Sequence, residues 1–371
     1  VGMAVRGGMQ SLLEGRGVQL LPADAGAELA IDMVDSGIEG EIVVSGRLGG
    51  LLPAPNHPLI DGADFQGKSW SIRRTLSVES DAWILDHAIS ETPVLPGVIG
   101  VELMAAAAQL IHPGLAVSGV SDIQFSSPVK MHRNEPIDVE VLAEPMDQNR
   151  VRCSLFSERT LKTGKTLRTE HFKGLIWLGV GPSIDALKET GSAAYALDAE
   201  AIYRRFFHGE GFQVLNSASN ILPLSLDAEG AVSHANIGDN LTTQPLVLEA
   251  AFQAAGLHTM VVDDALALPS SIAKASWPNP VKEDSALTLK VVRTGDVYDV
   301  DVHQEHGCIL QLRGFGMAQL GPLPEEDRFQ NLSTSPRTDE RASASVSEGN
   351  LAGLLSDNEL KELQERGNDK R

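Results

Sequence analysis

The chain has 371 residues, of which 42% are hydrophobic and 22% charged, and its formal net charge is −20. The length is sufficient for roughly two or three folded units, and the strong negative charge argues against binding to a nucleic-acid backbone. Two cysteines, Cys153 and Cys308, exclude a disulfide scaffold and a cysteine-rich metal site. No continuous apolar run has the length of a membrane span, and the first residues lack a secretory pattern. We therefore expect a protein of the cytoplasm that does not associate with membranes.

Residues 1–50 combine helix-like patterning with Gly and Pro breaks and include a short apolar strand, EIVVSG. With its RGVQLLP stretch, this segment resembles the C-terminal end of a ketoreductase domain followed by a linker. It contains no glycine-rich dinucleotide loop, so we expect no cofactor site in it.

In residues 55–182, short β-type runs surround one very apolar helix. The helix is predicted over residues 96–112, PGVIGVELMAAAAQLIH, and it must be buried because every face is apolar. A sheet wrapped around it would provide that burial. The predicted strands are WSIRRTLSV, VSDIQFSSPVKM, DVEVLAEP, RVRCSLFSERT and FKGLIWLGV.

Residues 183–322 begin with a linker and then repeat this plan. The second apolar helix is predicted over residues 245–262, PLVLEAAFQAAGLHTMVV, with Pro245 in its first turn. Residues 323–371 form a polar tail, in which Ser356 and Glu359 have the spacing of a capping box for a short helix. The predicted strands are AVSHANI, SSIAKASW, LTLKVVRTG, VYDVDVHQ and CILQLRGFGMAQL.

A histidine, His87, precedes the proline–glycine turn that opens the first apolar helix, within DHAISETPVLPG. The turn would hold the imidazole at the mouth of an apolar channel. Because the ordinary pKa of histidine is about 6.5, such a residue is suited to proton abstraction near neutral pH. Taken alone, a histidine at the end of a strand is more often structural.

The same segment resembles the His-x-x-x-Gly-x-x-x-x-Pro signature of dehydratase domains in polyketide synthases. His87 and Pro96 occupy the His and Pro places, whereas Glu91 stands in the Gly place. The resemblance covers roughly residues 55–322, and its form is most similar to the dehydratase-like region of polyunsaturated fatty-acid synthases. It implies an α+β double hot-dog fold, with two antiparallel sheets that each wrap around a central apolar helix.

The second apolar helix contains QPLVLEAAFQ, which resembles the Pro-x-x-x-Asp-x-x-x-Gln helix that supplies the acid in such domains. Glu249 stands in the Asp place and Gln253 in the Gln place. Residues four apart lie on one helix face, so both side chains are expected in one site. A carboxyl group in so apolar a helix is expected to have a raised pKa and to stay protonated.

A further stretch, FHGEGFQVL, resembles the Tyr-Gly-Pro-x-Phe-Gln segment that opens the second hot dog. His208 takes the Tyr place and Glu210 the Pro place. The resemblance implies catalytic roles for His87 and Glu249. It implies substrate-binding or orienting roles for Gln253, Pro96, Gly97, His208 and Phe212.

A second site, built from Glu102 and His234, is an alternative that the spacing leaves open. Glu102 lies six residues after Pro96, where stand-alone hot-dog dehydratases carry their acid. His234 precedes Glu249 by fifteen residues, as His87 precedes Glu102. Against this second site, His234 lacks the proline–glycine turn and lies in a strand-like run.

The resemblance implies removal of water from a 3-hydroxyacyl thioester by His87 as base and Glu249 as acid, with Gln253 orienting the acid. The implied partners are an acyl carrier protein with acyl-phosphopantetheine, neighbouring synthase domains and a second copy in a homodimer. Neither a metal nor a cofactor of its own is expected. Two alternatives stay open: a catalytically silent domain for dimerisation or carrier docking, and a hot-dog thioesterase or isomerase.

Overall fold

The computed structural model describes residues 57–329 apart from 67, 68, 113, 161–165, 189–195, 236 and 239, together with six positions between 21 and 34. The predicted ketoreductase-like end in residues 1–50 falls almost wholly outside the described residues, as does the predicted helix in the polar tail.

The first half of this region is an antiparallel sheet around helix α1 (Gly97–Gln109). This helix was predicted from its apolar faces and is confirmed: every residue from Val98 to Ala108 is buried. The strands are β1 (Gly62–Gln66), β2 (Ser69–Leu76), β3 (Ala88–Ile89), β4 (Thr92–Pro93), β5 (Val117–Phe125), β6 (Ile137–Pro145), β7 (Arg150–Thr160) and β8 (Thr166–Leu178). Of these, β3 and β4 form a separate two-stranded sheet.

The second half repeats the arrangement around a longer helix. A short helix α2 (Ala199–Tyr203) begins where the side chain of Asp198 accepts a hydrogen bond from the Ala201 N–H, and the central helix is α3 (Pro245–Asp263). The predicted second apolar helix is thus confirmed. The strands are β9 (Ala196–Asp198), β10 (Leu215–Leu222), β11 (Ser225–Ala231), β12 (Ala265–Ser276), β13 (Ala286–Thr294), β14 (Val297–Gln304) and β15 (Gly307–Pro322).

Helix α3 is also long and apolar enough to cross a membrane by length and composition. However, 94% of its most apolar stretch is buried inside the domain. The helix is therefore accounted for as the core element of the second half, and its apolar faces pack against strands and against α1.

The two halves share one sheet. Strand β5 pairs with β12 in antiparallel register, with Gly119 opposite Ser276 and Gln124 opposite Ser271. This seam joins the two predicted sheets into one sheet of thirteen strands, in the order β1-β2-β6-β7-β8-β5-β12-β15-β14-β13-β11-β10-β9. The seam fixes the first half against the second, which matters because the candidate site takes residues from both.

Some strand predictions are wrong at their ends. Strand β5 ends at Phe125, although VSDIQFSSPVKM was predicted as a strand throughout. Strand β11 ends at Ala231, so the predicted strand AVSHANI is mostly loop and contains His234 there. Strand β10 and most of β11 were missed, because their Ser, Asn and Gly residues resemble a turn and pairing with neighbouring strands makes them extended. Strand β9 was also missed, because it has three residues and pairs only with β10 among the described strands.

Candidate active site

A cavity of about 1130 Å³, including its open mouth, lies where the start of α1, one face of α3 and the central strands meet. Its walls are mainly aliphatic and aromatic, as expected of a pocket for an apolar ligand. Residues from both halves contribute to it. The polar or charged residues that line it are His87, Ser127, Arg205, His208, Glu249 and Gln253.

His87 lies at the end of a short 3₁₀ helix, Ala82–Asp86, directly before β3. Its Nδ1–H donates a 2.8 Å hydrogen bond to the carbonyl oxygen of Val94, which fixes the tautomer. No described residue bonds to Nε2, so the basic lone pair of the ring is available at the cavity. Burial lowers the pKa of His87 to about 4, aided by the charge of His208 and opposed by that of Glu249.

The turn after His87 explains how a glutamate occupies the glycine place of the motif. Ile89 pairs with Thr92, so Ser90 and Glu91 form a two-residue hairpin loop. Both residues have positive φ, 50° for Ser90 and 61° for Glu91, as this kind of tight hairpin requires. Glu91 therefore adopts the left-handed conformation that glycine adopts more easily, and the hairpin still forms.

Glu249 lies in the second turn of α3 and is 4% exposed. Its Oε1 atom is held by two donors: the Nε2 atom of Gln253 at 2.8 Å and the Nε2 atom of His208 at 3.1 Å. Within the described part of the chain, Oε2 has no hydrogen-bond partner. One oxygen of the carboxyl group is thus fixed by the protein and the other is available to a ligand.

The expected rise in the pKa of Glu249 is wrong. Burial alone raises the pKa of Glu249, but the hydrogen bond and charge of His208, with smaller contributions from His87 and Gln253, outweigh burial. The net pKa lies below the ordinary value. The error has a physical cause, because the sequence places His208 forty-one residues away and does not show that it bonds to this carboxyl group.

Gln253 is fixed from both ends of its amide group. Its Nε2 atom also donates to the carbonyl oxygen of Phe212 at 2.8 Å, and its Oε1 atom accepts from the hydroxyl of Tyr203 at 2.8 Å. That hydroxyl in turn accepts from the Leu215 N–H. The amide cannot rotate without breaking these bonds, so Gln253 presents a fixed donor to Glu249.

His208 approaches His87 because the backbones of the two halves meet here. Residues 87 and 208 form an antiparallel bridge, and the Gly209 N–H donates to the carbonyl oxygen of Asp86 at 2.8 Å. A Cβ atom at position 209 would collide with the Asp86 carboxyl group, so this approach requires glycine. The ring of His208 stacks on Phe207, and its centroid lies 5.3 Å from that of His87.

The remaining residues of the motifs support the site without all lining it. Gly97 lines the cavity at the first position of α1. Pro96 precedes it and is not among the lining residues; its carbonyl oxygen accepts from the N–H groups of Ile99 and Gly100. Phe212 is fully buried, and its ring packs against His87 at 5.6 Å between centroids.

Comparisons with known proteins agree with this architecture. Residues 57–158 match the model of a family described as the polyketide synthase dehydratase domain. Among solved structures, the dehydratase domain from the CurF module of the curacin polyketide synthase superposes with a TM-score of 0.60. It is 16% identical and covers 71% of this chain and 98% of its own. The chain has the polyketide synthase dehydratase fold.

Sequence relatives extend this result. A polyketide synthase of Streptomyces halstedii is 27% identical over 267 residues, which are 66% of this chain and 5% of the synthase. One component of a polyunsaturated fatty acid synthase from Thraustochytrium is 24% identical over 312 residues, 80% of this chain and 10% of that protein. The chain is homologous to these synthases and spans a tenth or less of their length.

In this dehydratase fold, Glu102 and His234, the residues of the alternative second site, are each hydrogen-bonded to other residues. Glu102 is fully buried in α1 and accepts hydrogen bonds from the Nε2–H of His57 at 2.8 Å, the Thr242 N–H, and the N–H and hydroxyl of Thr243. His234 donates from Nδ1 to Glu283, and its Nε2 atom accepts from the Leu246 N–H. Both nitrogens of His234 are occupied, and Glu102 instead ties α1 to the loop before α3.

Sequence reasoning missed Tyr203 and Asp86. Tyr203 ends α2, just after a stretch interpreted as linker, yet its hydroxyl orients Gln253. The signal that could have found it is Asp198, whose spacing before an Ala-rich segment is typical of a helix N-cap. Asp86, beside His87, accepts from the Gly211 N–H and thereby connects the two halves.

The described residues contain no group of three or more His, Cys, Asp or Glu side chains arranged to hold a metal ion.

Proposed function

We propose that this domain removes water from a 3-hydroxyacyl thioester to give the 2-enoyl thioester. The substrate is presented on the phosphopantetheine of an acyl carrier protein, within a multidomain polyketide or polyunsaturated fatty-acid synthase. One observation carries the proposal: His87 and Glu249 line the same apolar cavity from opposite halves of the fold, and neither Nε2 of His87 nor Oε2 of Glu249 has a partner among the described residues.

His87 acts as the base. With its pKa lowered to about 4, the ring is neutral near pH 7, and Nε2 is its only basic atom because Nδ1 holds a proton in the bond to Val94. Nε2 takes the proton from the carbon next to the thioester carbonyl. The electron pair of that C–H bond forms the new double bond, while the C–O bond to the hydroxyl breaks.

The leaving hydroxyl takes its proton from the pair formed by Glu249 and His208. In the form that donates, Oε2 of Glu249 carries the proton while the Nε2–H of His208 bonds to Oε1. Water leaves, and the proton gained by His87 balances the proton lost by the pair. Two groups whose pKa values are set by different surroundings divide the acid and base roles.

The thioester carbonyl needs a donor for the negative charge that develops on its oxygen. The start of α1 at Gly97 lies in the cavity wall, and the first N–H groups of a helix have no partner within it. A carbonyl oxygen bound there would benefit from the positive end of the helix dipole.

Two similar solved structures support the roles of a histidine and an acid. Both are described as inactive mutants of the CurK dehydratase from the curacin polyketide synthase. An aspartate is replaced by asparagine in one and a histidine by phenylalanine in the other. Their domains share the fold of this chain with TM-scores of 0.58, at 17% identity.

Mass spectrometry of 3-hydroxyacyl-pantetheine and carrier-bound substrates tests the proposal. The chain is incubated with both hydroxyl configurations and with several acyl lengths, and the reverse hydration of 2-enoyl thioesters is followed as well. We expect the mass of one water molecule to be lost. Release of the free acid would instead indicate a thioesterase, and a moved double bond in the enoyl substrate an isomerase. No reaction with any substrate, by folded protein, would favour the silent docking or dimerisation role.

The pH dependence of kcat/KM should reflect the lowered pKa of His87. The base is neutral above about pH 4, so we expect the acid limb of the profile near pH 4 rather than near 6.5. A limb near 6.5 would contradict a buried base. The unfolded chain binds more protons than the folded one between these values, so the contribution of His87 to stability falls as the pH is lowered through this window. Circular dichroism at each pH separates protonation of the base from unfolding.

The length of acyl chain that the cavity accepts should depend on the size of the residue at position 256. Glu249, Gln253, Gly256 and Met260 all line the cavity at helical spacing, so the cavity follows α3 for about 16 Å. A Cβ atom at position 256 would lie 3.6 Å from the nearest atoms of Met317 and Phe206, an ordinary contact, whereas a larger side chain would fill the cavity.

We therefore expect Gly256→Leu to lower kcat/KM for 3-hydroxydodecanoyl substrates at least about tenfold more than for 3-hydroxybutyryl substrates, by excluding chain from this end. Gly256→Ala is the matched control and should treat both substrates nearly as the parent does. Equal losses with both substrates would mean that the pantetheine arm, rather than the acyl chain, lies along α3.

A further inference from the structure

The contact between His208 and Glu249 is not part of the motifs that suggested the site. Both residues are 4% exposed, and their Nε2 and Oε1 atoms are 3.1 Å apart. His208 is held by its stack on Phe207, with 4.3 Å between ring centroids and 22° between ring planes. Its Nδ1 atom is buried and has no partner among the described residues, so the bond to Glu249 is the only polar tether of the ring.

The two donors on Oε1 determine which way the carboxyl group faces. Gln253 and His208 approach the same oxygen, which leaves Oε2 as the oxygen for a substrate. With the hydrogen bond from Gln253 alone, the carboxyl group of Glu249 could still rotate about its Cγ–Cδ bond. The second donor removes this freedom, because both hydrogen bonds persist only in one orientation of Glu249.

The lengths of the two side chains compensate each other. In the resembled motifs, a tyrosine and an aspartate stand at the places of His208 and Glu249. Glutamate is longer than aspartate by one methylene group, and the donor atom of histidine lies closer to its Cα than the hydroxyl of tyrosine does. A longer acid therefore meets a shorter donor, and the total reach across the site is similar.

We propose that His208 is the positioning residue for the carboxyl group of Glu249, and that the lengths of these two side chains are matched so that neither can be exchanged alone. The inference rests on the proposed dehydration for its kinetic consequence. A carboxyl group displaced by about 1 Å loses on the order of 100-fold in rate.

A double-mutant cycle tests the matching. Glu249→Asp shortens the acid away from His208, and His208→Tyr places a longer donor against the full-length glutamate. We expect each single variant to lose about 100-fold in kcat with little change in KM. The double variant should recover to within about tenfold of the parent, since the shorter acid then meets the longer donor. Additive losses, on the order of 10⁴-fold in the double variant, would overturn the matching.

Two further variants separate positioning from mere packing. His208→Gln keeps a side-chain N–H donor and should retain most of the activity, whereas His208→Ala should lose about as much as His208→Tyr. The acid limb of kcat/KM should also move to higher pH in His208→Tyr, because a charge that lowers the pKa of His87 is removed while Glu249, which raises it, remains. An unmoved limb and an inactive His208→Gln would together indicate a structural role only.

A readout independent of turnover separates this inference from the proposed function. Titration of the residue-249 carboxyl group by ¹³C NMR should show a higher pKa in each single variant than in the parent, and a return toward the parent in the double variant. If the parent dehydrates no substrate but this pattern holds, the proposed function fails and the matching stands. If the parent is active and the pattern is absent, the matching alone fails. Circular dichroism spectra confirm that all variants are folded.

Discussion

Dehydration should slow by roughly 10³-fold when His87 is replaced by Asn, the contribution typical of a positioned general base. The amide nitrogen of Asn lies as many bonds from Cα as Nδ1 of His87 does, so it can keep the hydrogen bond to the Val94 carbonyl while the basic Nε2 atom is lost. The loss should appear in kcat and kcat/KM alike, because proton transfer belongs to the transition state rather than to substrate binding. Single-turnover mass spectrometry with a carrier-bound substrate measures it.

His306→Ala is the matched control. This histidine is exposed in the turn between β14 and β15, and its one bond within the described part of the chain is to the Pro280 carbonyl, so its removal should leave the rate within about twofold. Retention of more than a tenth of the parent rate by His87→Asn would assign the base to another residue. His87→Ala, which also removes the bond to Val94, should be no more active than His87→Asn.

Loss of Glu102 should destabilise the domain by roughly 3–5 kcal/mol, because each buried donor left without an acceptor costs about 1–3 kcal/mol. Replacement by Ala leaves the donors of His57, Thr242 and Thr243 without an acceptor inside the protein. The His57 contact and the loop before α3 would both lose their attachment to α1. Urea unfolding followed by circular dichroism measures the change, with the slope of the transition checked for constancy.

Glu79→Ala supplies the comparison for that measurement. Glu79 is exposed after β2, so its replacement should change stability by no more than about 0.5 kcal/mol. If Glu102→Ala unfolded at the same urea concentration as the parent, the tether between α1 and this loop would be energetically unimportant. If it were fully stable but inactive, the second acid–base site would have to be considered again.

The central helices were predictable because their sequences leave no polar face. A helix apolar on all sides must be buried, and α1 and α3 are where this argument placed them. Strand β11, in contrast, contains Ser225, Asp227 and Gly230, and its extended form depends on pairing with β13. Propensity alone does not reveal that pairing.

The candidate site was predictable as a set of residues but not as a set of contacts. Motif spacing selected His87, Glu249 and Gln253, and the fold brings them to one cavity. Motif spacing did not reveal that His208 bonds to Glu249, since a hydrogen bond between residues forty-one positions apart leaves no periodic signal in the sequence. The sign of the pKa shift of Glu249 depends on that contact, which is why burial alone gave the wrong direction.

In the case of Glu102 and His234, sequence spacing suggested a site that the contacts of the two side chains do not support. Each residue occupies a place that mirrors a catalytic candidate, yet Glu102 is enclosed by four donors and His234 caps the first turn of α3. Residues at equivalent positions in the two halves therefore have different roles. Only the three-dimensional partners of each side chain distinguish a reactive residue from a structural one.

The hydrogen-bonded seam between β5 and β12 sets the smallest portable unit for synthase engineering. His87 precedes the seam in the chain and Glu249 lies in the helix directly before β12, so any splice between residues 87 and 265 separates base from acid or replaces one side of the seam. A chimaera that joins the first half of this domain to the second half of a relative would align the two groups only if the foreign strand reproduced this register. Exchange of the whole double hot dog avoids that requirement.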